Sequence, residues 1–84
     1  MTLWYLSFVG DDSVFLGATV VAADSGIGAV AEAWRLGVNP GGEVMFCAVP
    51  RECETAPDIV ALRDKLFSAE QLFAMGAKRI GDMD

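Results

Sequence analysis

Apolar residues are arranged in two ways along this chain of 84 residues: dense aromatic-rich runs near its start, and a helical spacing in its middle. Leu3 to Val9 is aromatic and β-favouring, and it breaks at Gly10-Asp11-Asp12-Ser13. A second β-rich run goes from Val14 to about Ala23 and holds Thr19-Val20-Val21. Two such runs joined by turn-forming residues predict a β-hairpin. Asp24 or Ser25 can cap a helix that continues to Gly37, with Ile27, Val30, Ala31, Trp34 and Leu36 falling near a 3.6 period as its apolar positions. Gly37 suits the left-handed residue that closes such a helix.

Asn39-Pro40-Gly41-Gly42 is the sharpest turn signal in the chain. Proline presets φ at the second position of a turn, and glycine accepts the positive φ that a type II turn needs at the third. Glu43 to Val49 reads as a third strand, stopped by Pro50 and apolar on both faces: Val44, Phe46 and Ala48 on one, Met45, Cys47 and Val49 on the other. A polar loop follows from Arg51 to Pro57. Asp58 to about Lys65 fits either a short helix or irregular chain. Ser68-Ala69-Glu70-Gln71 is a capping-box pattern, so a short helix is expected from Ala69 to about Met75, ending at Gly76.

The expected fold class is therefore α+β, a single small domain over residues 1–76 in β-β-α-β-α order, with a frayed tail over 77–84. A right-handed crossover makes the third strand parallel to the second. Placing the first strand in the centre then gives a three-stranded sheet whose neighbours are all antiparallel, with one main helix on one face. The first two strands are apolar on both faces, for instance Trp4, Leu6 and Phe8 against Leu3, Tyr5 and Val9. One main helix covers one face. The short last helix covers part of the other at most, so a second copy of the chain is expected there, as a homodimer with Trp4, Tyr5, Phe8 and Met45 as candidate interface residues.

Composition sharpens this picture. Apolar residues make up 54% of the chain and the mean hydropathy is +0.41. A domain of this size buries only about 63% of its unfolded surface, so some apolar surface is expected to meet a partner. Six Lys and Arg against twelve Asp and Glu leave a formal net charge of −6, which argues against binding a phosphate backbone. An acidic decoy for a nucleic-acid-binding protein is the form of nucleic-acid involvement this charge would suit. There is no histidine, which removes the commonest general base and most zinc chemistry. Met1-Thr-Leu-Trp lacks a basic secretory n-region, and no apolar run approaches the length of a membrane span, so a cytoplasmic protein without membrane contact is expected. Cys47 and Cys53 read as reduced thiols, the first packed in a strand and the second in a loop.

Candidate chemistry is sparse. Gly26-Ile27-Gly28-Ala29-Val30-Ala31 matches a dinucleotide fingerprint, with Glu52 near the position of a ribose-binding acid. A hairpin precedes the motif where a βαβ unit would start, and Asp24 would set negative charge beside the phosphates. What survives is a helix start, Ser25, Gly26 and Gly28, whose free amides suit an anion. The Asn39, Gly41, Gly42 and Glu43 turn is a second candidate binding loop. Asp11 and Asp12 at the hairpin tip lack the further oxygens a hard cation needs. No nucleophile–base pair is legible, so neither catalysis nor a cofactor nor a metal site is expected.

The ordered set Trp4-Tyr5-Leu6-Ser7-Phe8, Phe15-Leu16-Gly17-Ala18 and Leu36-Gly37-Val38-Asn39-Pro40-Gly41-Gly42-Glu43-Val44 resembles a family of very short, uncharacterised proteins from bacteria and their phages. The likeness extends to about Pro50, and the Asn-Pro-Gly-Gly-Glu stretch is its most specific part. It brings no catalytic residues. It implies a phage or mobile-element accessory product, a class in which small acidic proteins act by binding. The leading expectation is thus a non-enzymatic, self-associating interaction module that docks on a host protein. The alternative is a small-ligand protein that binds or sequesters an anion or nucleotide.

Overall fold

A computed structural model describes residues 1–74 of the chain. The expected Gly76 helix stop and the 77–84 tail lie outside the described residues. Strands β1 (Thr2–Val9) and β2 (Phe15–Ala23) form the hairpin, helix α1 (Gly26–Leu36) follows, and strand β3 (Glu43–Ala48) completes the sheet. A 3-10 turn (Arg51–Cys53) and two short helices, α2 (Pro57–Leu62) and α3 (Ala69–Ala74), end the described chain. The sheet order is β2-β1-β3 with both neighbouring pairs antiparallel, so the fold is α+β with β1 in the centre.

Local chemistry explains the boundaries. Ser25 caps α1 by accepting the Gly28 amide, and Gly37 closes the helix in the left-handed conformation at φ 75°. Gly41 takes φ 89° at the third position of the turn before β3, and the Asn39 side chain accepts its amide at 2.8 Å. The capping box before α3 forms in both directions: Ser68 Oγ accepts the Gln71 amide, and Gln71 Oε1 accepts the Ser68 amide. The segment that fitted helix or irregular chain divides at Arg63, since α2 ends at Leu62 and residues 63–67 are non-helical.

Two apolar clusters lie on either side of the sheet. Under α1 are Leu6, Phe8, Val21, Ala23, Ala29, Ala33 and Val38, with Trp4 packed against them. Leu6 and Phe8 are fully buried, each contributing about 1.5–3 kcal/mol. The helix turns its small residues Gly26, Ala29 and Ala33 inward because the sheet supplies the bulk. This rotates the expected helix face: Val30 and Leu36 pack against the core as the period predicts, but Ile27 and Trp34 do not. Ile27 and Trp34 are 79% and 61% exposed, whereas the periodic pattern placed them in the core.

The second face holds Leu3, Val20, Val49 and Leu62, with Tyr5, Cys53, Ile59, Phe67 and Leu72 packed around them. The chain's own C-terminal third, α2 and α3, therefore covers this face over β2 and the start of β1. A second copy is not needed there, which corrects the argument from a bare second face. Between the helices, residues 63–67 run as a strap along the outer edge of β2. The Asp64 amide donates to Val20 O, and Ala18 and Phe67 exchange a pair of backbone bonds at 2.9 Å. Thr19 Oγ1 donates to Leu62 O, and Leu66 reaches the α1 side while Leu62 and Phe67 stay on the other.

Candidate functional site

The predicted interface residues separate. Phe8 is fully buried beneath α1, so it is unavailable to a partner and leaves the candidate interface. Trp4 is half-buried on the α1 side, donates its indole N–H to Ala23 O at 3.1 Å, and meets Phe46 edge-to-face with ring centroids 5.8 Å apart. Tyr5 is on the opposite face, partly covered. Burial, and after it the neighbouring Cys47 and Asp58, push its phenol above the ordinary value of 10.0. Met45 is 71% exposed on that same face, where it pairs with Ser7 in the ladder, beside an exposed Cys47 that pairs with Tyr5. The packed Cys47 of the sequence reading is thus a surface thiol. Both cysteines are free.

Among the strands β3 is the exposed one, with all of its residues but Val44 open to solvent, while Ile27 and Trp34 are exposed on α1. Val44, Phe46 and Ala48 share the face of Phe8, Leu6 and Trp4, their ladder partners, but the edge position leaves Phe46 44% exposed. The Val49 amide donates to Leu3 O, which fixes the phase of the ladder: odd-numbered residues of β3 bond β1, and the even ones direct their backbone groups outward. Among the described residues nothing pairs with that outer edge.

The predicted ligand residues also separate. Ser25 and Gly28 line an open concavity of about 610 Å³ beside α1, together with Glu32, Arg35, Arg63 and Asp64. Gly26 is not part of it. It is buried under the Phe46 ring so closely that a Cβ would overlap the ring. A phosphate could not approach Gly26 without displacing Phe46, and the Gly28 amide is already taken by Ser25. These two contacts remove the dinucleotide fingerprint's central requirement, a bare backbone at both glycines. Asn39, Gly41, Gly42 and Glu43 lie beyond the other end of an 11-residue helix, about 16 Å away along its axis. The two candidate ligand loops therefore do not converge.

Four charged side chains around the concavity are paired, and the Asp24 carboxylate lines it as well. Arg35 binds Glu32 through two hydrogen bonds of 2.7 and 2.6 Å, and Arg63 is 3.7 Å from Asp64. The bonds from Arg35 hold the Glu32 carboxyl below its usual range and raise the Arg35 guanidinium, both on an exposed surface. Arg35, Arg63 and Asp64 were not among the sequence candidates. Arg35 lies one turn from Glu32, a pairing visible in sequence, whereas Arg63 and Asp64 arrive only through the strap. Among the described residues no group of three or more Cys, Asp and Glu is placed to share a metal ion, and no helix is long and apolar enough to cross a membrane.

Compared with protein-family models, with curated proteins and with solved structures, the chain matches none.

Proposed function

We propose that this chain is a non-enzymatic protein-interaction module that self-associates and docks on a protein partner. The observation that carries the reading is strand β3: an edge strand with exposed Met45 and Phe46, in a sheet whose opposite edge is strapped. Exposed apolar side chains next to unpaired backbone groups are a surface that pays little to acquire another chain. The acidic remainder of the molecule then keeps the free chain soluble and disfavours indiscriminate contacts. The likeness to short bacterial and phage proteins supports a host protein as the partner, met in the cytoplasm by an accessory product of a phage or mobile element.

A second reading, a small anion or nucleotide held near Ser25, Gly28 and Arg35, rests on the open concavity itself, since the Gly28 amide and the Arg35 guanidinium already have partners. Native mass spectrometry of the chain purified from its source organism separates the two. The leading reading expects a mass that is a multiple of 8.9 kDa, with or without a co-purifying protein. A monomer carrying an added small mass, lost on Gly28→Asp, moves the assignment to the concavity. A bare monomer well above micromolar concentration overturns self-association.

A further inference from the structure

We propose that the partner of β3 is β3 of a second copy, paired antiparallel across a two-fold axis at Phe46 into one six-stranded sheet; this rests on the self-association reading above. The free backbone groups belong to Val44, Phe46 and Ala48. Antiparallel pairing centred on Phe46 sets Val44 opposite Ala48 of the second copy, Phe46 opposite Phe46, and Ala48 opposite Val44. Each of these pairs exchanges two backbone bonds, which satisfies every outward group of the strand. Pro50 and the Gly41-Gly42 turn bound the strand at its two ends, so the register has little room to slip.

Side chains agree with that register. The Phe46 rings become cross-strand neighbours on the α1 side, and Met45 packs across from Cys47 of the second copy on the other. Glu43, the sole charge in β3, meets Val49, with Arg51 the first charged residue beyond it. A parallel pairing would instead align Glu43 with Glu43. Helix α1 packs mainly over β2, leaving the space above the seam for two helices to stand side by side. The usual edge defences are missing from β3, which holds no Lys, no Pro and, in its regular pairing with β1, no bulge. Two short strands bury less than the ~1,200–2,000 Å² of a long-lived complex, so the dimer is a reversible one with a dissociation constant of roughly micromolar order.

The test is sedimentation velocity on the full chain from about 1 μM to about 1 mM, with two variants. Ala48→Pro removes an outward N–H and no bond to β1, so it should keep its circular dichroism spectrum and sediment as a monomer throughout. Met45→Cys places a thiol opposite Cys47 of the second copy. Mild oxidation should link them, with peptide mapping reporting an inter-chain disulfide between the introduced thiol at position 45 and Cys47. In the wild type, Cys47 stands only diagonal to its mate and links far more slowly. If Ala48→Pro does not fold, the mapped link decides. A wild-type chain that stays monomeric overturns both this proposal and the self-association reading, and leaves the edge to a strand of a different protein. A dimer that persists in folded Ala48→Pro, or a Met45→Cys dimer whose main inter-chain link is not between positions 45 and 47, overturns the edge pairing alone.

Discussion

Gly26 and Tyr5 show how much one residue decides here. At Gly26 the absence of a side chain lets α1 settle onto Phe46, which in turn holds the edge of Trp4. Gly26→Ala gains helix propensity, yet the added methyl must displace the ring, at about 1–3 kcal/mol of overpacking. The expected result is a lower melting temperature and a changed tryptophan emission; an unchanged or higher melting temperature would show that the ring swings aside freely. Tyr5 is the only tyrosine, so tyrosinate absorbance reads it directly. Burial favours the neutral phenol, so its folded pKa lies above its unfolded one. The associated stability is fully present below about pH 10 and declines as pH rises through the folded pKa. The titration midpoint should stand above 10.0 in the native protein and return to the ordinary value in urea; equal midpoints would contradict the burial.

Elements were legible where a local rule governs them. Ser25, Gly37, the Asn39 turn and the Ser68 capping box each act within a few residues, and the strand order β2-β1-β3 is the one that makes every neighbour antiparallel once the crossover sets β3 parallel to β2. Helix α1 has the expected bounds, and Val30 and Leu36 of its apolar stripe face the core, but the stripe's centre lies elsewhere, because a periodic pattern does not say how large the opposing sheet residues are. Gly26, Ala29 and Ala33 form an equally periodic small-residue stripe, and the aromatic strands facing it were the signal for choosing that one. The strap was not legible at all. Residues 63–67 carry no repeat, and their place depends on bonds to Ala18 and Val20 more than forty residues away. Thr19→Val tests its worth: it deletes the hydroxyl that serves Leu62 O and should cost about 1–3 kcal/mol in chemical denaturation. A neutral substitution would mean that water reaches that carbonyl.

At the scale of the whole molecule, the sheet is asymmetric. One edge is fastened by the chain itself, and the other is open among the described residues. That asymmetry ties growth of the sheet to a single direction, so pairing through β3 closes on a dimer and cannot propagate into a fibre. It also has a consequence for birth of the protein. The hairpin is complete at Ala23, but the residues that guard β2 come about 40 positions later, so at about 5–20 residues per second the ribosome leaves that edge unguarded for several seconds. In crowded synthesis, with many nascent chains on one message, this delay sets a window in which hairpins of neighbouring chains can find each other by the wrong edge. Slower translation of the stretch from Arg51 to Phe67 would lengthen the window and raise the aggregated fraction, while the finished chain would be indifferent to it.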